Sequence, residues 1–277
     1  MNLELLLLMS TIIILPTITK ADNPDEWKLI WCDEFNNNGL PDPTKWNYEY
    51  GFVRNEEKQY YTRERMENAR VENGLLIIEC RKEKFKNHMF KLGSNSWKTK
   101  LEYADYTAAS IITKNKFSVK YGRIEVKAKL PHGQGVWPAI WMLGDSHDTK
   151  GWPTCGEIDI MEFVGKEPGT IHGTVHFAIN GKHKSKGGKF YTEKPFDDFH
   201  IYAIEWNSEE INFFFDENKY FSFNVSEADE ENYNPFREPF YILMNFAIGG
   251  TWGGKIDDNI LPQQFIIDYI RVYQKIK

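Results

Sequence analysis

Residues Tyr121–Leu130 alternate without interruption: Arg123, Glu125, Lys127 and Lys129 are separated by small or apolar residues. Side chains of an extended chain point to opposite faces at every step, so this is a strand with one wet face and one dry one. The same period recurs along the chain. Runs rich in β-branched and aromatic residues occur at 29–31, 75–79, 109–113, 139–143, 157–163, 170–178, 199–206, 211–215, 219–223, 240–248 and 265–274. Turn formers such as Asn73-Gly74, Pro131-His132-Gly133 and Asn180-Gly181 punctuate them. Helical periodicity is nearly absent, with one helical turn expected near 226–232. About a dozen such strands need a partner layer for their dry faces, which predicts an all-β sandwich of two antiparallel sheets. No linker composition or internal repeat divides the 277 residues, so one domain is expected.

Charge and cysteine content exclude several functions. With 34 Lys+Arg against 40 Asp+Glu the net charge is -6, which provides no field for nucleic acid. The run Leu5–Leu15, broken by Ser10 and Thr11 and followed by Pro16 and Thr19-Lys20-Ala21, reads as a signal peptide over residues 1–21. It is shorter than the ~20 apolar residues needed to span a bilayer. The expected product is therefore residues 22–277, secreted, extracellular, monomeric and without a membrane or nucleic-acid partner. Cys32, Cys80 and Cys155 allow at most one disulfide; Cys32 and Cys80 can pair if their strands are neighbours. Asn224-Val225-Ser226 is a glycosylation sequon.

Phosphate-loop, dinucleotide and serine-elbow motifs do not occur. His172 and His176 are four apart, but Gly173 and the strand-like surroundings argue against a helical zinc motif. They are read instead as core histidines or as polar residues on a working face. The informative segment is Gly156–Gly165, where Glu157, Asp159 and Glu162 interrupt a run of Ile, Met and Phe with no Lys or Arg inside the motif to pair with them. Carboxylates on a half-buried strand are costly unless they are used. Period 2 puts Glu157 and Asp159 on one face and Glu162 on the other; a one-residue bulge near Met161 brings Glu162 back. The two glutamates then act as an i, i+4 pair with Cα atoms about 13 Å apart. Side chains leaning inward on a concave sheet can approach the ~5–5.5 Å carboxyl spacing of retaining glycosidases. Asp159 between them raises a neighbour's pKa by repulsion.

Glu157-Ile158-Asp159-Ile160-Met161-Glu162 resembles the bulged catalytic signature of glycoside hydrolase family 16, as found in laminarinase-type endo-β-1,3-glucanases. Supporting stretches are 31–35, 59–62, 121–125, 135–143 and 267–273, so the resemblance spans nearly all of 22–277. It implies a β-jelly-roll with a substrate cleft on the concave sheet. Residue by residue, Glu157 resembles the nucleophile, Glu162 the general acid/base and Asp159 the auxiliary carboxylate. Trp137 and Trp141, four apart on a strand, match tryptophans that serve as sugar platforms, against the alternative of core packing. Asn55, His176, Asn245 and Trp252 match stretches that line the family's cleft. Ser110 stands where the family has a basic residue before the isoleucine. No cofactor is required for catalysis, but the resemblance implies a structural calcium held by Glu34, the Gly74 carbonyl and Asp268. The partner implied is a β-1,3-glucan polysaccharide, cleaved by double displacement. A mixed-linkage glucan or a galactan is an alternative substrate, and a non-catalytic β-glucan recognition protein the alternative of another class.

Overall fold

The computed structural model describes residues 27–276; the signal peptide expected over residues 1–21 lies outside them. Seventeen strands follow in chain order among the described residues. The first six are β1 (Trp27–Asp33), β2 (Asn47–Tyr48), β3 (Gln59–Tyr61), β4 (Ala69–Glu72), β5 (Leu75–Lys86) and β6 (Tyr103–Ala108). Next come β7 (Ser110–Ile112), β8 (Gly122–Lys129), β9 (Val136–Gly144), β10 (Glu157–Glu162), β11 (Thr170–Ile179) and β12 (Lys182–Tyr191). The last five are β13 (His200–Trp206), β14 (Glu210–Phe215), β15 (Asn218–Asn224), β16 (Phe240–Ile248) and β17 (Gln263–Lys275).

They form the two expected sheets. One runs β15-β14-β13-β8-β17-β5-β6-β3, with β1 added to β17 and β4 to β5; the other runs β12-β11-β10-β9-β16-β7-β2. Among the described residues every strand pair is antiparallel except β3 with β6, which is parallel. The helical turn expected near 226–232 is a 3-10 turn at Val225–Ala228, capped by the Asn224 side chain. Short helical turns also form at His147–Lys150, Gly250–Gly253, Pro235–Arg237 and Asp258–Ile260.

The sheets hold together through their facing dry sides. Ile124, Val126 and Ala128 of β8 are buried against the same core as Ile140 and Met142 of β9 and Ile242, Met244 and Phe246 of β16. The other side of β8 is the wet face read from the sequence, and its charges are paired within the strand and across to its neighbours. Arg123 reaches Glu125 and Glu205 at 2.9 and 3.0 Å, and Lys127 reaches Asp268 at 2.8 Å.

β9 and β16 are buried on both faces, because the second sheet has the core below it and a cleft above. β12 at its edge, with the sequence KHKSKGGKFY, gave no strand signal: lysines and glycines have little β-propensity. Its pairing to β11 over ten residues fixes it all the same, and a lysine-rich edge resists pairing with another chain.

The cysteine expectation is corrected here. Cys32 pairs with Arg271 near one end of β17, while Cys80 pairs with Gln263 at the other end. Eight residues of strand separate those positions by roughly 26 Å, far beyond the ~7 Å Cα limit for a disulfide. All three thiols are free, and burial pushes those of Cys80 and Cys155 well up. Denatured, unreduced protein should therefore titrate three thiols per chain with a disulfide-exchange reagent, and reduction beforehand should not raise the count; a count of one would contradict the strand register.

Candidate active site

The site is built on β10. Between Asp159 and Met161 this strand advances two residues while β9 advances one, from Trp141 to Ile140. The same shift against β11 leaves Glu162 opposite His172 and Glu157 opposite His176. This is the bulge expected near Met161. Ile158, Ile160 and Met161 are fully buried in the inter-sheet core, so their apolar side chains hold the irregular backbone from below. Glu157, Asp159 and Glu162 consequently all turn up into a cleft of about 530 Å³, together with Asn55, Trp137, Trp141 and Asn245.

The acids of this floor are poorly hydrated. Asp159 is 4% exposed, and burial raises its pKa to about 8. Glu162 is also raised to about 8, by burial and then by repulsion from Asp159, while the Trp137 indole N–H, donating to Oε1 at 3.0 Å, pulls the other way. Glu157 is pushed well above the ordinary carboxylate range by burial and by Asp159; His176 opposes this most strongly. His176 Nε2 lies 3.1 Å from Asp159 Oδ2 and 3.8 Å from Glu157 Oε1. Asp159 Oδ2 nonetheless has no aligned hydrogen-bond donor.

A second polar chain runs beside the acids. Trp141 Nε1 donates to Asn245 Oδ1 at 2.7 Å, and Asn245 Nδ2 donates to the Tyr61 hydroxyl at 2.9 Å. Tyr61 donates in turn to Glu57 Oε2 at 3.3 Å, where Gln59 also donates at 2.6 Å, and Asn55 donates to Oε1 at 3.3 Å. Each donor points the same way, so Asn55 and Asn245 are held in one amide orientation by the buried Glu57. That acid gave no sequence signal beyond its place just before the stretch 59–62. Asn55 and Glu56 both have positive φ, and this tight backbone carries Arg54 and Asn55 to the cleft wall.

The platform expectation changes in part. Trp137 and Trp141 line the cleft but are only 7% and 6% exposed. The Arg54 guanidinium lies 4.7 Å over the Trp141 ring and is paired with Glu49, which Ser110 also contacts at 2.6 Å. Trp141 is thus covered, and Trp137 is engaged with Glu162 and with Trp252, which packs edge-on against it at 5.4 Å. The cleft tryptophan with an open ring is Trp152, 48% exposed. It precedes a proline in an irregular loop, where strand periodicity cannot reveal it. His172 packs against Trp252 and Glu167, away from the Glu157–His176 pair, so the two histidines do not converge on one ion.

The calcium set does not fit an ion as the residues stand. Both oxygens of Glu34 accept from Arg271 at 2.8 Å, which holds that carboxyl below its usual range, and Asp268 is paired with Lys127. Gly74 occupies the turn between β4 and β5. Guanidinium and ammonium groups already supply the positive charge that calcium was expected to bring.

A jelly-roll-like sandwich whose one sheet carries outward-facing acids and a polar cleft defines a carbohydrate-cleaving class of protein. Comparison with known proteins agrees: residues 56–271 match the sequence profile of Glycosyl hydrolases family 16, and the chain belongs to that family. It is 44% identical over 268 residues to the β-glucanase of Rhodothermus marinus, covering 92% of this chain and 88% of the other. The laminarinase structure from Rhodothermus marinus superposes with a TM-score of 0.78 at 44% identity, over 91% of this chain and 99% of that one. A structure from work on endo-acting O-glycanases, which prominent members of the human gut microbiota express to initiate mucin breakdown, superposes with a TM-score of 0.86. It is 37% identical, over 92% and 93% of the two chains.

Two outcomes test this geometry. Asp159 ionises near 3.8 when unfolded and near 8 when folded, so the folded state alone keeps its proton between those values. Stability from this group is complete below about pH 4 and is lost as pH rises towards 8. Asp159→Asn should therefore melt at least about 2–4 °C above the parent at pH 8, with the gap closing towards pH 4; a gap that does not change with pH would contradict the buried, protonated acid. Secondly, one alanine inserted after Met161 inverts the direction of Glu162. That variant should keep its circular dichroism spectrum and lose all detectable glycan cleavage, whereas deletion of Met161 restores strict alternation and should retain part of it.

Proposed function

We propose that the protein is a secreted endo-β-1,3-glucanase that cleaves laminarin-like glucans with retention of anomeric configuration. The observation that carries this reading is the bulged β10, which presents Glu157, Asp159 and Glu162 to one cleft with Trp137 bonded to Glu162. The likeness to the Rhodothermus marinus β-glucanase and laminarinase supports the linkage. The leader-like run before Ala21 supports secretion. A non-catalytic recognition protein has no use for three desolvated acids, which cost stability at neutral pH.

In this mechanism Glu157 attacks the anomeric carbon as a carboxylate. Burial pushes Glu157 well up, so its ionised form depends on the opposing pull of His176 and Arg54 and on a neutral Asp159 that adds no repulsion. The bond to the leaving sugar breaks as Glu162 gives its proton to the departing oxygen. A water then loses a proton to Glu162 and displaces Glu157 from the sugar, so both groups return to their starting states. A pKa of about 8 suits Glu162 for the first step, since it is still protonated at neutral pH.

A second reading is favoured by one observation: the superposition on the O-glycanase structure, with a TM-score of 0.86, is better than that on the laminarinase, at 0.78. An endo-acting enzyme on galactose-containing mucin O-glycans, or on a galactan, is compatible with the same acids, because loops set the subsites. Laminarin, mixed-linkage glucan, agarose and released mucin O-glycans, incubated separately, decide between them. Oligosaccharides from laminarin alone support the first reading; release from O-glycans without attack on laminarin overturns it.

The roles of the acids are tested on whichever glycan is cleaved. Glu157→Gln should abolish turnover without unfolding, and Glu162→Ala should lose about 10²- to 10⁴-fold. Azide should rescue Glu162→Ala as the β-glycosyl azide and Glu157→Ala as the α-anomer. Exchange of the two anomers would exchange the two roles. Trp137→Phe removes a bond to the Glu162 carboxylate and so should move the alkaline limb of kcat/KM to higher pH.

A further inference from the structure

The cleft floor holds an arrangement with a second use besides hydrolysis. Glu157, Asp159 and His176 each offer one ligand atom, and the three atoms lie within 4.8 Å of one another. Asp159 is 4% exposed and its Oδ2 has no hydrogen-bond donor aligned on it, although His176 Nε2 is only 3.1 Å away. A ring N–H pointing at that oxygen would have satisfied it. The other ring nitrogen of His176, Nδ1, is 2.9 Å from Nε2 of His183, and the two rings stack at 5.2 Å. One proton must lie between those nitrogens. Placed on His176 Nδ1, it leaves a lone pair on His176 Nε2 towards the two carboxyl groups, whose protons a bound ion displaces.

The geometry points to a transition-metal site here, for Zn²⁺ in particular, formed by His176 Nε2, Asp159 Oδ2 and Glu157 Oε1, whose occupation blocks the cleft. Four-coordinate zinc with bonds of about 2.0–2.1 Å places neighbouring ligand atoms ~3.4 Å apart. The two distances from His176 Nε2, 3.1 and 3.8 Å, bracket that value. One imidazole with two carboxylates suits zinc better than calcium or magnesium, which prefer oxygen alone. The fourth position opens to the cleft, where water completes the shell. His183 is the outer partner that such a histidine needs: it fixes the tautomer and turns the lone pair towards the ion. Trp152, with its ring 4.7 Å from that of His183, holds this partner in place. Because two of the three ligands are the acids of the cleavage site, zinc and glycan exclude each other.

Calorimetric titration of ZnCl₂ into metal-stripped protein, in a buffer that does not bind zinc, tests the site without any substrate. We expect one Zn²⁺ per chain. His183→Ala should weaken it about 10- to 100-fold, the usual cost of removing an outer partner, and His176→Ala or Asp159→Asn should weaken it further. Circular dichroism checks each fold, and Asp159→Asn carries the test if His176→Ala does not fold. Zinc should also raise the apparent KM for the cleaved glycan without lowering kcat, and a chelator should reverse this. Absence of binding up to ~1 mM, affinity unchanged in both Asp159→Asn and His176→Ala, or bound zinc with which the glycan does not compete would each overturn the assignment. A different preferred glycan would alter the function proposed above and leave the calorimetry as it is.

Discussion

The cleft depends on one extra residue in one strand. In a regular β10 the acid at 162 would point into the core and Met161 into the cleft, which would bury a carboxylate in the apolar space between the sheets. The bulge removes that conflict by giving the core two consecutive apolar side chains, Ile160 and Met161, where the alternation allows one. Hydrophobic burial thus holds an irregular backbone, and the irregular backbone sets the chemistry above it. The cost of the unpaired ladder position is offset locally, since three side chains of β10 are fully buried in the inter-sheet core.

Desolvation is the second consequence. β9 and β16 beneath the cleft are buried on both faces, so the acids stand on an apolar floor and not on a hydrated sheet. That floor raises Asp159 and Glu162 to about 8; the Trp137 indole N–H and His176 oppose the shift of Glu162, and His176 and Arg54 that of Glu157. The protein keeps protons on acids at neutral pH by sacrificing stability there. The cross-strand ion pairs on the wet face of the other sheet lie far from this site and are free to solvate, so they cannot relieve it.

Much of this was legible from the chain alone. The spacing 157, 159, 162 within an apolar strand requires a bulge if all three acids share a face, and the alternation of residues 121–130 required the wet outer sheet. What escaped notice did so for physical reasons. β12 is dominated by lysines and glycines, which have little strand propensity; ten residues of pairing to β11 decide it. Cys32 and Cys80 both lie beside β17, yet at opposite ends, and register along a common neighbour is not visible in local sequence. The calcium ligands expected at Glu34 and Asp268 depended on family resemblance, whereas Arg271 and Lys127 approach from other strands and neutralise them.

The tryptophans show how a position legible in the sequence acquires polar neighbours that are not. Period 2 correctly puts Trp137 and Trp141 on the cleft face, but the approach of Arg54 over one ring and the bond from the other to Glu162 are set by a loop and by the bulge. Both rings therefore act through polar neighbours: Trp141 fixes Asn245, and Trp137 stabilises the charged form of Glu162. The open aromatic ring of the cleft, Trp152, stands instead on a loop beside the His176–His183 pair, where no strand period announces it.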